Sequence, residues 1–190
     1  MASLLRYSSA AIVSFFLISI LMTSGCTDHE ATNGGLSAFS AKLSAEEARE
    51  ESRQEYHLAV VTGMDPTSGG RALSWKFLYI QEDGLHGLTA VVDREGLVRS
   101  ETGDTSERPP VRNWTIDSTS AYTASVNDLL SDGVVSEDTP VKVSYIYLLG
   151  ADPGNHGCEW FIGLILGSEQ PLSVQYNIDG SSGEILGIGT

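Results

Sequence analysis

Two parts of this 190-residue chain repeat the same order of turn and strand motifs, and the repeat constrains the fold more than any other feature. Gly63-Met64-Asp65-Pro66 corresponds to Gly150-Ala151-Asp152-Pro153, and the strand that begins near Trp75 corresponds to the one at Trp160. Two further turn and strand motifs follow, all four within offsets of 85 to 87 residues. Gly and Asp turns are common to antiparallel sheets, but that alternative does not explain the aligned tryptophans. Self-similarity of this kind predicts a duplicated unit.

Each copy is predicted to contain one helix and several antiparallel strands. Ser44 and Glu47 have the spacing of a capping box, which predicts a first helix from about Ala45 to Tyr56. A second helix is predicted after a cap at Asp117 or Ser118, because apolar residues follow at helical spacing. The predicted strands are Leu58–Thr62, Ser74–Ile80, Gly87–Val92, Leu97–Arg99, Val141–Leu149, Trp160–Leu166, Val174–Asp179 and Gly183–Leu186. Gly63–Gly70 is predicted to be a loop. The fold class is therefore α+β, with two tandem units.

Composition divides the chain into five segments. Residues 1–25 are predicted to be a signal peptide, and the Gly-, Ser- and Thr-rich residues 26–43 a flexible tether. The two units are placed at 44–101 and 113–190. Between them lies a linker, 102–112, in which two consecutive prolines interrupt regular structure.

The beginning of the chain predicts a lipid anchor at Cys26. Arg6 is followed by an apolar run from Ala10 to Met22, which is shorter than the roughly 20 residues of a membrane-spanning helix. Thr23-Ser24-Gly25-Cys26 resembles the lipobox of bacterial lipoproteins, although Thr23 stands where Leu is usual. The resemblance implies cleavage before Cys26 and acylation of its thiol, as by palmitate, and several acyl chains anchor a protein stably. The alternative is an ordinary signal peptide that leaves a plain thiol.

The charge balance excludes some classes of partner. Downstream of residue 25, 10 Lys and Arg residues stand against 25 Asp and Glu residues. An acidic surface of this kind argues against nucleic acid and against a basic membrane-binding patch. It is compatible with solubility outside the cytoplasm or with a basic partner.

No catalytic residue, metal site or cofactor is predicted. The sequence lacks the common hydrolase, zinc and phosphate-loop motifs, and the four histidines, at 29, 57, 86 and 156, have no metal-ligand spacing. Cys158 follows His156 and precedes Glu159, which could indicate a metal site or reactive thiol, but a buried small residue at a strand start is the simpler interpretation. Asp179–Glu184 could form a calcium loop, but its acidic residues lack the required spacing, so a hairpin turn is expected.

The aromatic residues Trp75, Phe77, Tyr79 and Trp160 allow two interpretations. They could form an exposed aromatic surface, or they could be the sheet face on which the helices lie. The second is expected because each helix needs an apolar surface beneath it.

The second copy resembles the PepSY domain and its relatives. Trp114-Thr115-Ile116-Asp117-Ser118 leads into a helix, and Tyr176–Ile185 closes a sheet with Asp179, Gly183, Glu184 and Ile185 at the family's positions. The turn has one residue more than the family pattern, and Thr119, Ser120 and Ala121 replace its acidic residue and paired alanines. The resemblance implies a helix on a curved antiparallel sheet and a non-enzymatic module that binds or restrains peptidases.

Three hypotheses follow for the function. The first is a membrane-anchored, extracytoplasmic lipoprotein of the cell envelope that binds a protein, such as a peptidase that it restrains. The second is a structural or assembly lipoprotein of the envelope. The third is an enzyme whose Asp or His residues meet only in the fold, and it is the one that the sequence favours least.

We predict that the mature N-terminus is acylated Cys26. Mass spectrometry of the membrane-bound protein should find acyl chains on this residue, because the signal layout and the lipobox-like tetrapeptide both end there. A Cys26→Ala variant should be released or remain unprocessed. An unmodified N-terminus, or a correctly cleaved and membrane-bound Cys26→Ala variant, would place the anchor elsewhere.

Overall fold

The structure, a computed structural model, describes residues 34–151, 157–168 and 170–190. The signal segment and Cys26 lie outside the described residues, as does most of the predicted tether. Two helices are described, α1 (Ala38–Glu51) and α2 (Ser118–Ser131). The strands are β1 (His57–Thr67), β2 (Arg71–Ile80), β3 (His86–Asp93), β4 (Gly96–Asp104), β5 (Val141–Gly150), β6 (Cys158–Leu166), β7 (Leu172–Asp179) and β8 (Ile185–Gly189). A short 3₁₀ turn, Ser68–Gly70, joins β1 to β2. The α+β class is confirmed.

The eight strands form one antiparallel sheet in the order β4-β3-β2-β1-β5-β6-β7-β8. Each half of the chain contributes a helix followed by a four-stranded meander. The first strands of the two meanders, β1 and β5, pair with each other, with Thr62 opposite Tyr147. The eight described strands therefore make one continuous sheet, in which β4 and β8 are the two edge strands.

Both helices pack on one face of the sheet through small side chains. The buried residues of α1 are Ala38, Ala41, Ala45 and Ala48, and those of α2 are Ser118, Ala121, Ser125 and Leu129. The sheet supplies the bulk, since Trp75, Phe77, Tyr79 and Trp160 have no exposed surface. Large side chains that face small ones allow the helices and the sheet to pack closely. The expectation that these aromatic residues lie beneath the helices is confirmed.

The two helices begin side by side and share a cap. The Oδ1 atom of Asp117 accepts hydrogen bonds from the backbone N–H of Ser118, at 2.8 Å, and from that of Phe39 in α1, at 2.9 Å. The Oγ atom of Ser118 accepts another from the N–H of Ala38, at 3.1 Å. The Oγ atom of Ser37, the N-cap of α1, accepts a hydrogen bond from one backbone N–H group, that of Ser40. Two of the first N–H groups of α1 are thus satisfied by the other half of the chain.

The two repeated tryptophans occupy equivalent positions. Trp75 lies on β2 opposite Val92, and Trp160 lies on β6 opposite Ile178. Each indole N–H donates to the carbonyl of the residue just before a helix cap, namely Leu36 (2.9 Å) and Ile116 (2.8 Å). The two rings also contact each other edge to face, with centroids 6.3 Å apart.

The predicted start of the first helix is wrong. The helix begins at Ala38, with its cap at Ser37, whereas the sequence analysis placed it at Ala45. Residues 38–43 of the predicted tether are therefore helical. The small residues of this turn gave little apolar signal, although they pack against large aromatic residues of the sheet. The second helix is confirmed, with Asp117 as its cap.

Several strands extend beyond their predicted ends. The predicted loop Gly63–Gly70 is mostly strand, because β1 continues to Thr67 despite Pro66. In the short turn that follows, Gly70 has a positive φ, and a Cβ on it would lie 2.4 Å from the carbonyl oxygen of Ser118. The hairpin therefore packs against the start of α2. At the predicted linker, β4 runs on to Asp104, so irregular structure begins at residue 105.

We predict that Asp117 stabilises the fold more than an ordinary helix cap does. Ser37→Ala should lower the free energy of unfolding by about 1 kcal/mol, the usual effect of losing one cap. Asp117→Ala should lower it by about 2–3 kcal/mol, because both helices lose an acceptor. Urea denaturation followed by tryptophan fluorescence measures both. Equal losses in the two variants would contradict the shared-cap interpretation.

Candidate binding surface

The face of the sheet opposite the helices carries a row of aromatic side chains. Ile146, Leu148, Trp160 and Ile162 are buried on the helix side, so the alternating residues Tyr145, Tyr147 and Phe161 point to the other face. The rings of Tyr147 and Phe161 stack with centroids 5.0 Å apart and an angle of 13° between their planes. Tyr145 stacks on Tyr147 at 5.6 Å. All three are half-buried. We call them the aromatic row.

Polar groups and a glycine complete this part of the face. The hydroxyl of Tyr145 donates to Oε1 of Gln175 at 2.5 Å, and Nε2 of Gln175 donates to Oδ1 of Asn177 at 3.0 Å. The ring of Tyr145 lies over Gly163, where an added Cβ would be 2.4 Å from the ring. Burial raises the pKa of Tyr145, as does its neighbour Tyr147. The phenol therefore stays neutral, and with its proton donated to Gln175 its oxygen can still accept a hydrogen bond from a bound molecule.

The two edges of the sheet differ in chemistry. Along β4, Arg99 and Glu101 form an exposed ion pair at 2.9 Å, and the strand ends at Asp104. Charged residues on an edge strand discourage pairing with other chains. Strand β8 has no charged residue or proline, and its Leu186 and Ile188 are 37% and 54% exposed. Of the two edge strands that the structure describes, β8 is therefore the one without charged residues to oppose an added strand.

Ionisable residues gather in an open cleft of about 470 Å³ near the turn between β2 and β3. Its lining includes Asp83, His86 and Asp104. The Nδ1 atom of His86 lies 2.7 Å from Oδ2 of Asp83, with both side chains largely exposed. The hydrogen bond that the His86 ring donates to the Asp83 carboxylate, and the charge of that carboxylate, raise the pKa of His86, and the same bond lowers the pKa of Asp83.

A second cavity of about 470 Å³ lies beneath the irregular segment that follows β4. It is lined in part by His57, Ile80, Arg108 and Pro109. The Nε2 atom of His57 is buried without a hydrogen-bond partner. A single bridging water would satisfy such an atom.

The structure places the remaining sequence candidates as follows. Cys158 is fully buried at the start of β6, where burial first, and then Asp179 and Glu159, raise the pKa of its thiol to about 12. The thiol is therefore protonated at neutral pH, which favours the interpretation of a packed small residue. Asp179 accepts from the backbone N–H groups of Ser181 and Ser182, as in a hairpin turn. Cys26, His29 and His156 lie outside the described residues.

The described residues offer neither a metal-binding cluster nor a helix that could span a membrane. Within these ranges, no group of three or more His, Cys, Asp or Glu residues could hold a metal ion. Of the helices described there, none is long and apolar enough to cross a membrane.

The sequence analysis missed the aromatic row and the exposed edge β8. Tyr145 and Tyr147 were assigned to a strand by their alternation, but alternation does not tell which face a helix covers. The signal that was present is the second face of β6, where Phe161 and Ile165 alternate with buried residues. An apolar residue on both faces of a strand indicates that the second face also makes contacts.

Comparison with known proteins does not assign the chain to a family. No protein-family model matches the chain, and no curated protein matches it significantly. Among solved structures, the chain is similar to the crystal structure of a "putative lipoprotein" from Clostridium difficile 630. The sequences are 8% identical, the TM-score is 0.49, and the match covers 84% of this chain and 95% of that one.

We predict that His86 titrates above an ordinary histidine and that Asp83 is the cause. A proton-detected NMR titration should show the pKa of His86 raised in the native chain and returned toward its ordinary value in Asp83→Asn. The contribution of the pair to stability should be complete below the ordinary histidine pKa and be lost as pH rises through the raised one. Because Asp83 has a lowered pKa, it should also be lost as pH falls through that value. An unchanged His86 titration in Asp83→Asn would contradict this.

Proposed function

We propose that this protein is a membrane-anchored extracytoplasmic lipoprotein whose folded part is a non-enzymatic, protein-binding module. Acylated Cys26 would attach it to the membrane of the cell envelope. The folded residues would face the extracytoplasmic side and bind a protein there, such as a peptidase that they restrain.

One observation carries the proposal, namely the sheet face that no helix of the described residues covers, with its aromatic row. Tyr145, Tyr147 and Phe161 keep part of their surface in solvent although the sheet has two helices that could cover it. Aromatic residues are enriched at protein interfaces, where they contribute large contact areas. Gln175 and Asn177 beside them supply polar groups that fix the orientation of a partner.

We further propose that the chain consists of two tandem PepSY-like units joined through β1 and β5. Each half has a helix followed by a four-stranded meander. The equivalent tryptophans, with equivalent bonds to the residue before each helix, support a duplication. The buried residues of the helices also correspond, since Ala38, Ala41 and Ala45 align with Ser118, Ala121 and Ser125.

Two features favour a binding module over an enzyme. The ionisable pair Asp83–His86 is solvent-exposed, whereas catalytic groups are usually held in water-excluded sites. The one described cysteine, Cys158, is buried and protonated at neutral pH.

Capture of the partner tests the proposal. Full-length acylated protein, purified in detergent, should retain a specific protein from solubilised envelope. Phe161→Thr should lose it, because the stack with Tyr147 disappears while a strand-forming residue remains. Leu43→Thr is the matched control, since Leu43 is a 74% exposed apolar residue on α1 and its replacement should leave capture unchanged.

The activity of the captured protein separates the hypotheses. A peptidase inhibited in proportion to the added lipoprotein supports restraint, and unchanged activity supports an assembly role. Failure of the wild-type chain to capture more than an unrelated lipoprotein would overturn the binding proposal. Turnover of a substrate by the purified chain, abolished by His86→Ala, would overturn the non-enzymatic one.

A further inference from the structure

We propose that β8 is the docking edge for an extended, cationic segment of the partner, which adds to the sheet as a ninth strand. This inference rests on the proposed binding function and specifies where and by what chemistry the partner is held. Such strand addition uses main-chain hydrogen bonds for affinity and alternating side chains for specificity.

The first argument is the state of the edge itself. Ile188 lies opposite the buried Tyr176 and is 54% exposed, and Leu186 is 37% exposed. Neither is covered by a helix in the way that the equivalent core residues of β2 and β6 are. A strand added at this edge would bring its own side chains alongside them and remove that apolar surface from water.

The second argument is the pair of glycines at Gly187 and Gly189. Glycine weakens a strand, so its presence usually reflects a positive φ or a close neighbour. Neither residue has a positive φ. An added Cβ would meet nothing within 4 Å at Gly187 and only Gln175, at 4.0 Å, at Gly189. Because neither glycine has a side chain, β8 presents no bulk at these two positions that an added strand would meet.

The third argument is charge, and it identifies the kind of partner. Residues 113–190 contain ten Asp and Glu residues and a single basic residue, Lys142, whereas residues 34–112 contain thirteen and nine. Lys142 is on β5, separated from β8 by two strands. Glu184 is exposed immediately before β8. On the helix side, the hydroxyl of Tyr176 donates to Asp128 at 2.9 Å, and Asp132 lies nearby.

A cationic partner fits this edge better than a second copy of the chain. Two copies paired through β8 would bring together two surfaces of the same negative sign, which costs free energy. A segment that alternates lysine or arginine with apolar residues would place its apolar groups on one face of the sheet, beside Ile188, and its charges on the other, within the negative field of the acidic half.

A peptide of alternating valine and lysine, about eight residues long, is the probe. Full-length protein in detergent should bind it, and hydrogen exchange should show new protection at the amides of β8. A valine and glutamate peptide should not bind. The valine and lysine peptide with alternate amides N-methylated should also fail, because it keeps the charge and loses the strand hydrogen bonds.

Matched variants locate the binding site. Ile188→Lys should weaken peptide binding by about tenfold or more, because lysine on an edge strand opposes pairing. Leu97→Lys is the control: Leu97 is 41% exposed, lies on the opposite edge strand, and faces the buried Val92. The Leu97→Lys variant adds the same charge and should change the affinity for the peptide by less than about twofold. Melting curves should show both variants folded.

The outcomes separate this inference from the proposed function. Equal weakening by Ile188→Lys and Leu97→Lys, or binding of the N-methylated peptide, would reduce the interaction to general charge attraction and overturn docking at β8. Retention of the envelope partner by Ile188→Lys would also overturn it while leaving the proposed function intact. An increase in mass to a dimer that is lost in Ile188→Lys would assign the edge to a second copy instead.

Discussion

The fold depends on the carboxylate of Asp117, at which two helices from different halves of the chain begin. The positive ends of both helix dipoles point toward this group. Its Oδ1 atom accepts one hydrogen bond from a backbone N–H group of α1 and one from α2. Around it, the indoles of Trp75 and Trp160 hold the residues that precede each cap, and Trp114 packs against Trp160 with centroids 5.9 Å apart. The junction fixes both helices on one face of the sheet. Among the residues that the structure describes, the other face carries no helix.

Sequence reasoning succeeded where the local pattern determined the structure. The second helix was found because apolar residues follow Asp117 and Ser118 at helical spacing, and the strands were found because their apolar residues alternate or run together. The first helix was misplaced because Ser44 and Glu47 form a convincing capping box inside a helix that starts seven residues earlier. Its core-facing residues are alanines, which carry little apolar signal. They are suited to their place only because the sheet beneath them is aromatic, and that is a property of the tertiary structure.

The candidate surfaces could be predicted only in part, because they depend on which strands become neighbours. The sequence assigned Tyr145, Tyr147 and the β8 region to strands, but it did not reveal that β1 pairs with β5. Without that pairing, neither the open face nor the identity of the edge strands can be derived. The loop predicted at Gly63–Gly70 shows the same limit. Its Gly, Asp and Pro residues indicate a turn locally, yet pairing with β2 holds most of it as strand.

The pairing of β1 with β5 also explains why the two remaining edges can differ. A four-stranded meander on its own exposes two edges, and each needs protection from aggregation. When two meanders join through their first strands, those two edges pair with and protect each other. Each half then retains one exposed edge strand. In this chain the edge strand of the first half carries Arg99, Glu101 and Asp104, while that of the second half, β8, carries no charged residue. Since the strongly acidic half also carries the unprotected edge, attraction of a cationic segment and its addition to the sheet would occur at the same place.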